Sequence, residues 1–209
     1  MLFLLTGDVQ IGKTRWLEGL IAELQQAGVG VAGVLAPGQW VPSHSPDVDK
    51  NGFEKLGIDN VLLPEGRRIP FARREDLARA EGAFDEDSQA ARSQLAWHIS
   101  DEAIAQVNAH FDGLMADGVP LTAPSLLVVD ELGRLELWAG EGLTSALELL
   151  RQGPSELFPH ALVVVRDYLL DAAQQLLLPA WGEAVRIAPN HQSRELVVGA
   201  YSQPSNWEL

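Results

Sequence analysis

The chain has 209 residues, nearly half of them apolar, with 29 Asp and Glu against 15 Lys and Arg and a formal net charge of −14. A chain this acidic repels DNA and RNA outside a local basic patch, so nucleic acid is not an expected partner. The lack of cysteine excludes disulfides, thiolate metal sites and a cysteine nucleophile, and no stretch approaches the ~18 apolar residues of a membrane span, so a cytoplasmic location is expected.

Leu2-Phe3-Leu4-Leu5 is a short apolar run. It is long enough for a buried strand, and too short for a signal peptide without a basic flank. Gly7 to Thr14 follows and reads Gly-Asp-Val-Gln-Ile-Gly-Lys-Thr. That fits the pattern of glycine, four residues, then Gly-Lys-Ser/Thr. Trp16, Leu17, Leu20, Ile21 and Leu24 then recur at helical spacing. Strand, glycine loop and helix in this order build a phosphate cradle. Glycines permit the tight loop and the close approach of a phosphate, and the helix start adds unpaired N–H groups and the positive end of its dipole. The expected phosphate-binding residues are Gly7, Asp8, Val9, Gln10, Ile11, Gly12, Lys13, Thr14 and Arg15. Lys13 would also assist catalysis as a point charge on the β- and γ-phosphates, and the Thr14 hydroxyl would ligate Mg²⁺.

Gly28 to Leu35 contains Gly-x-Gly-x-x-Gly, the dinucleotide fingerprint. That motif must follow a strand and open a helix, whereas this one follows a helix and runs into β-branched residues. Gly28 is therefore read as a helix stop and Val29 to Leu35 as the second strand. Pro37 to Pro46 holds three prolines, Trp40 and His44, and reads as a loop from which either ring could stack on a base. Apolar runs at Phe53 to Ile58, Val61 to Leu63 and Ile69 to Ala72, with a turn at Pro64-Glu65-Gly66, read as a hairpin or small meander. Arg67, Arg68, Arg73, Arg74 and Arg79 crowd the end of that segment. They are read first as a solvated face, with one of them, or Arg166, as the candidate to stabilise transferring charge.

Ala80 to Ala91 reads as a loop or weak helix and Gln94 to Ile99 as a strand. Ser100-Asp101-Glu102 opens a helix with its stripe at Ile104, Val107, Phe111 and Leu114, ended by Gly118-Val119-Pro120. Ser125 to Val129 is a strand that runs into Asp130-Glu131. Asp130 would hold Mg²⁺ as a hard oxygen ligand, and Glu131 would orient and deprotonate an attacking water. Leu143 to Leu150 is a helix face, and Ala161 to Val165 is a buried strand ending in Arg166-Asp167. Leu169 to Leu178 is a further helix and Ala184 to Ile187 a last strand; Pro189 to Arg194 reads as a loop that contacts the base, and Gln203 to Leu209 as a loose end.

Alternating strands and helices imply an α/β fold: a three-layer P-loop sandwich with a mostly parallel sheet, helices on both faces and a β-hairpin insertion. One domain is expected over residues 1–209, with the insertion at about 37–80. Ligands of such sheets bind at the carboxyl ends of the strands, which gathers the glycine loop, Asp130-Glu131, Arg166-Asp167 and Pro189 to Arg194 on one edge.

With these pieces placed, the chain resembles the THEP1-type nucleoside triphosphatases. Thr6 to Thr14 is similar to the family's phosphate loop. Val128 to Leu137, containing Asp-Glu-Leu-Gly-Arg-Leu-Glu-Leu, is similar to its Asp-Glu-Ile-Gly-Lys-Met-Glu-Leu motif. Asn51-Gly52-Phe53 on to Gly66 resembles its Arg-Gly-Phe hairpin, and Asn190 to Leu196 its late Asn-Arg-x-x-Leu element, which adds Asn190 to the expected nucleotide-binding residues. The chain departs from the pattern at Asn51, which stands in place of Arg, at His191-Gln192-Ser193, which separate Asn190 from Arg194, and at Arg15, where Thr is common. The resemblance implies slow, Mg²⁺-dependent hydrolysis of ATP, GTP or other nucleoside triphosphates. Glu136 is a second carboxylate near Glu131, either ordering the site or sitting on a surface turn.

The fold is equally compatible with a kinase for a nucleoside, nucleotide or small metabolite, although Asp-Glu in tandem at a strand end favours water over an acceptor; a nucleotide-binding adaptor of little turnover is a third reading, against which the same pair argues. The five histidines are scattered, which disfavours zinc, and no Gly-x-Ser-x-Gly elbow is present. The six tryptophans are read mostly as core or loop anchors. A protein partner is left unassigned.

Overall fold

The computed structural model describes residues 1–43, 52–116, 121 and 124–202. In chain order the elements are β1 (Leu2–Leu5), α1 (Lys13–Gln26), β2 (Gly30–Leu35), β3 (Gly38–Pro42), β4 (Phe53–Leu63), β5 (Arg67–Arg74), α2 (Glu75–Ala80), α3 (Gln89–Arg92), β6 (Trp97–Ile99) and α4 (Asp101–Met115). They continue with β7 (Ser125–Leu132), a π-helical turn (Leu135–Ala139), α5 (Thr144–Arg151), β8 (His160–Val165), α6 (Leu170–Trp181), β9 (Ala184–Ile187) and α7 (His191–Gly199).

Among the described residues the strands form one sheet in the order β6-β5-β4-β2-β7-β8-β1-β9, with β3 paired to β4. The half from β2 to β9 is parallel. The segment from β3 to β6 adds an antiparallel half to the same sheet, joined where β2 meets β4. The insertion thus widens the central sheet instead of sitting on it as a separate hairpin.

Side-chain alternation on the buried strands divides the core in two. Leu2 and Leu4 face one side with Val34, Val129 and Val163, where α4, α5 and α6 pack. Phe3 and Leu5 face the other with Val31, Val128 and Val164, where Leu17, Leu20 and Leu24 of α1 and Val197 of α7 pack. Helix starts follow their sequence signals: Ser100 caps α4 by accepting from Ala103 N, and Asn190 caps α7 by accepting from Ser193 N.

Several local expectations change. Gly38 to Pro42, expected within a loop, is β3, because β4 offers it an unpaired edge; His44 and Asn51 lie outside the described residues. The two runs from Phe53 to Leu63 are one strand with a register shift between Ile58 and Asp59. Pro189 to Arg194, expected as a loop, is mostly the start of α7. Trp181 is buried and donates to Leu150 O at 2.7 Å, whereas Trp138 is exposed against Tyr168. The segments Gly118-Val119-Pro120 and Gln203 to Leu209 lie outside the described residues. Among the described residues, no helix is long and apolar enough to cross a membrane.

Candidate active site

The parallel registers bring the site together. Leu5 at the end of β1 pairs with Val164 of β8 and Ile187 of β9, and Val164 pairs with Asp130 of β7. The glycine loop, Asp130-Glu131 and Arg166 therefore leave the sheet at the same edge.

The loop from Thr6 to Gly12 closes through positive φ at Gly7 (132°), Gln10 (61°) and Gly12 (91°). Gly7's φ of 132° lies where an L side chain is strained whatever the space around it, so this turn needs glycine. Gln10 holds a left-handed conformation that costs an ordinary residue about 1–2 kcal/mol, which is strain of the kind stored in ligand-binding loops. Lys13 Nζ donates to Gly7 O at 2.7 Å and Asp8 O at 2.8 Å. These bonds stretch its side chain along the loop and leave a third N–H for a ligand.

Asp130 is 3 % exposed. It accepts from Ala36 N at 3.1 Å and from the Thr14 hydroxyl. Burial pushes its pKa up to about 6; the Ala36 and Thr14 hydrogen bonds and the Lys55 charge oppose the rise, and the Glu131 charge adds to it. A buried carboxylate held against a hydroxyl is a hard-oxygen donor pair that lacks a full counter-charge, which is the chemistry Mg²⁺ requires. The sheet register shifts between Asp130 and Leu132, which makes Glu131 an extra residue on β7 and turns it out of the ladder. Arg166 Nε donates to Glu131 Oε1 at 2.6 Å and fixes the carboxylate's orientation.

The turn beyond Glu131 is braced from inside. Glu136 is buried, and its carboxylate accepts from Gly133 N at 2.8 Å and Leu143 N at 3.0 Å. Burial raises its pKa against those bonds. It is thus an ordering residue and not a surface-turn carboxylate.

A cavity of about 650 Å³ spans these groups, lined by Val9, Gln10, Gly12, Lys13, Thr14, Arg15, Asp130, Glu131 and Arg166, with Trp40 and Phe53 at its outer side. Its volume is ample for a nucleotide. Gly7 and Asn190 lie instead along a neighbouring cavity of about 460 Å³ with Arg186 and Gln192. Asn190 is engaged by its cap bond, and its carbonyl accepts from Trp16 Nε1 at 2.9 Å.

Sequence reading missed Lys55. Its Nζ sits 5.8 Å from the Trp40 ring centroid and 5.5 Å from that of Trp97. Burial lowers its pKa, while the charges of Glu131 and Asp130 raise it. The one sequence signal was its spacing of two from Phe53, which puts both on the same side of β4. The arginine cluster points elsewhere. Arg68 pairs with Asp59, Arg73 with Glu81, Arg74 with Glu54 and Asp76, and Arg79 with Glu75 and Glu86, while Arg67 reaches Gln106. Among the described residues no group of three or more His, Asp or Glu is placed to hold a metal.

The arrangement matches two solved structures. Over 96% of this chain and 96% of the other, it superposes on THEP1 from the hyperthermophile Aquifex aeolicus with a TM-score of 0.56 at 12% identity. The fold is that of THEP1. A human cancer-related nucleoside triphosphatase matches over 96% of this chain and 94% of its own, with a TM-score of 0.55 at 14% identity. No protein-family model and no curated protein matches the sequence. The likeness therefore rests on shared overall fold, an α/β sandwich matched along nearly the whole chain, and not on sequence.

Proposed function

We propose that the chain is a Mg²⁺-dependent nucleoside triphosphatase that hydrolyses ATP, GTP or related nucleotides to the diphosphate and phosphate, and that residues 1–209 act as one domain. One observation carries the reading: Lys13, Thr14, Asp130, Glu131 and Arg166 share the wall of one nucleotide-sized cavity. The backbone of Asp8 to Thr14 and the Lys13 ammonium bind the β- and γ-phosphates. Thr14 and Asp130 would hold the Mg²⁺. Bound there, the metal would supply charge neutralisation across those phosphates. Glu131 takes a proton from the attacking water, whose oxygen bonds to the γ-phosphorus as the bridging bond to the β-phosphate breaks. Arg166 fixes the Glu131 carboxylate, and Lys55 offsets its charge and that of Asp130.

The test is phosphate release from ATP, GTP, CTP and UTP, with Mg²⁺ or with EDTA. Wild type is compared with Lys13→Ala and Glu131→Gln, with no acceptor present. The proposal expects dependence on Mg²⁺, and a loss of ~10² or more in Glu131→Gln with nucleotide still bound. Wild type that binds nucleotide yet releases no phosphate would sink it.

A further inference from the structure

Thr14, Asp130, Glu131 and Arg166 line the nucleotide cavity and also a second one of about 260 Å³. The shared wall is the γ-phosphate end of the site proposed above, so the second cavity begins where the first keeps its reacting groups. It continues past Phe71, Trp97 and Leu135 and reaches the surface beside Tyr168, which is 59 % exposed. Its volume is many times the roughly 10–15 Å³ that admits one water, and just below the roughly 300–1,000 Å³ of drug-sized sites. A small ion with its water fits.

Each carboxylate on the wall of the second cavity is answered. Glu131 pairs with Arg166. Asp130 accepts from Ala36 N and the Thr14 hydroxyl, and Glu136 accepts from Gly133 N and Leu143 N. Arg134 differs. Among the described residues it is the cation on this wall that meets no carboxylate. Its Nη2 donates to Gln94 O at 3.1 Å, and Gln94 holds a positive φ of 52°, which residues other than glycine rarely adopt. A neutral carbonyl thus places the guanidinium without neutralising it, and the other N–H groups of the fork remain for a ligand. A planar, permanently charged fork on a cavity wall selects an oxyanion.

We propose that the second cavity is an orthophosphate site with Arg134 as its cation, and that the cleaved γ-phosphate leaves through it while the nucleoside diphosphate is still bound. The inference rests on the hydrolysis proposed above. Once the bond to the bridging oxygen has broken, orthophosphate has the diphosphate, held by Lys13 and the glycine loop, on one side. On its other side is the wall shared with the second cavity. Glu131 is no charge barrier there, because Arg166 pairs with it and it has taken the proton of the attacking water. Phe71 and Leu135 offer the ion no hydrogen bonds, so Arg134 holds it weakly enough for it to depart.

The probe is inorganic phosphate at millimolar concentration, titrated by ³¹P NMR line broadening into protein saturated with Mg²⁺ and ADP. Wild type is compared with Arg134→Leu, with Arg134→Lys, and with Ala96→Glu, which sets a competing carboxylate on an exposed residue of the same wall. Phosphate release from ATP is measured on the same samples. Orthophosphate should bind and exchange with ADP in place. Its affinity should fall about tenfold or more in Arg134→Leu, the loss of a charge-assisted hydrogen bond, and Arg134→Lys should recover part of it. Ala96→Glu should weaken it likewise, so the site stays testable if Arg134→Leu does not fold. Orthophosphate that binds the free protein and is expelled by ADP would place it on the glycine loop and overturn the proposal. Equal affinity in wild type, Arg134→Leu and Ala96→Glu would overturn it too, and in both cases ATP hydrolysis by wild type leaves the hydrolase reading standing. Binding as expected in a protein that releases no phosphate from ATP would overturn the exit role together with the hydrolase reading.

Discussion

Replacing Glu136 by Gln tests whether this buried carboxylate holds the catalytic turn. Glu136 accepts from two backbone amides, Gly133 N at 2.8 Å and Leu143 N at 3.0 Å, one on each oxygen. Glutamine keeps one acceptor oxygen and turns an NH₂ group toward the other amide. That leaves one buried N–H facing a donor, at a cost of about 1–3 kcal/mol. Neutralising the side chain returns part of this, because the raised pKa shows that burial already opposes the charge. The net loss is about 1–2 kcal/mol, which for a chain of this size lowers Tm by roughly 2–8 °C. Expansion of the side chain offers no escape, since a Cβ placed on Gly142 would already lie 2.1 Å from Glu136 Oε1. The assay is thermal unfolding followed by tryptophan fluorescence, paired with nucleotide turnover. Turnover should fall about tenfold, because misplacing a catalytic group by a fraction of an ångström is costly. A Gln variant that melts within a degree of wild type and hydrolyses nucleotide at the same rate would refute the bracing role.

Lys55→Met removes the cation that faces Asp130 and Glu131 while keeping the stem between Trp40 and Trp97. It should lower kcat about tenfold or more, with KM for nucleotide changed far less, and Lys55→Arg should recover part of the loss; steady-state kinetics decide. His110 is buried with Nε2 3.1 Å from Gly33 O and Nδ1 3.7 Å from Glu65. Burial lowers its pKa below the ordinary 6.5 despite Glu65 and the Gly33 and Leu63 backbone contacts, and Arg67 adds to the lowering. His160 is lowered in the same way by burial and the Met1 ammonium. At these two histidines the unfolded chain binds protons that the folded chain refuses, so their contribution is full above about pH 6.5 and is lost as pH falls. Asp130, raised to about 6, works the other way, so the test is a difference: between about pH 7.5 and 5.5 the urea midpoint of wild type should fall relative to that of His110→Gln. Gly33 and Gly28 both hold positive φ, but a Cβ on Gly33 would lie 2.0 Å from Val128 O, while on Gly28 it would meet nothing within 4 Å. Gly33→Ala should cost more than ~4 kcal/mol and Gly28→Ala about 1 kcal/mol, read from equilibrium denaturation.

The elements that carry local signals were legible in the chain itself. A four-residue apolar run, a glycine loop and a helical stripe state their own conformations, because backbone sterics and hydrophobic period act over a few residues. The same holds for the cap at Ser100 and for the strand that ends in Asp130-Glu131, whereas Asn190, read as a nucleotide contact in a loop, caps a helix. What needed the tertiary structure is whatever depends on partners distant in sequence. β3 exists because β4 presents an edge to it. The five arginines are answered by carboxylates or Gln106 outside the cavity, through chain geometry that no local pattern encodes. Glu136 is internal because residues 133 and 143 return to it. Lys55 reads as an ordinary strand lysine until Trp40 and Trp97, from two other strands, close around it beside the carboxylates. The sequence alone carried the expectation of phosphate chemistry, since a glycine loop ending in Lys-Thr and a paired carboxylate are short motifs. Only packing decided which other charges meet them, because electrostatic partners are set by distance in space and by burial.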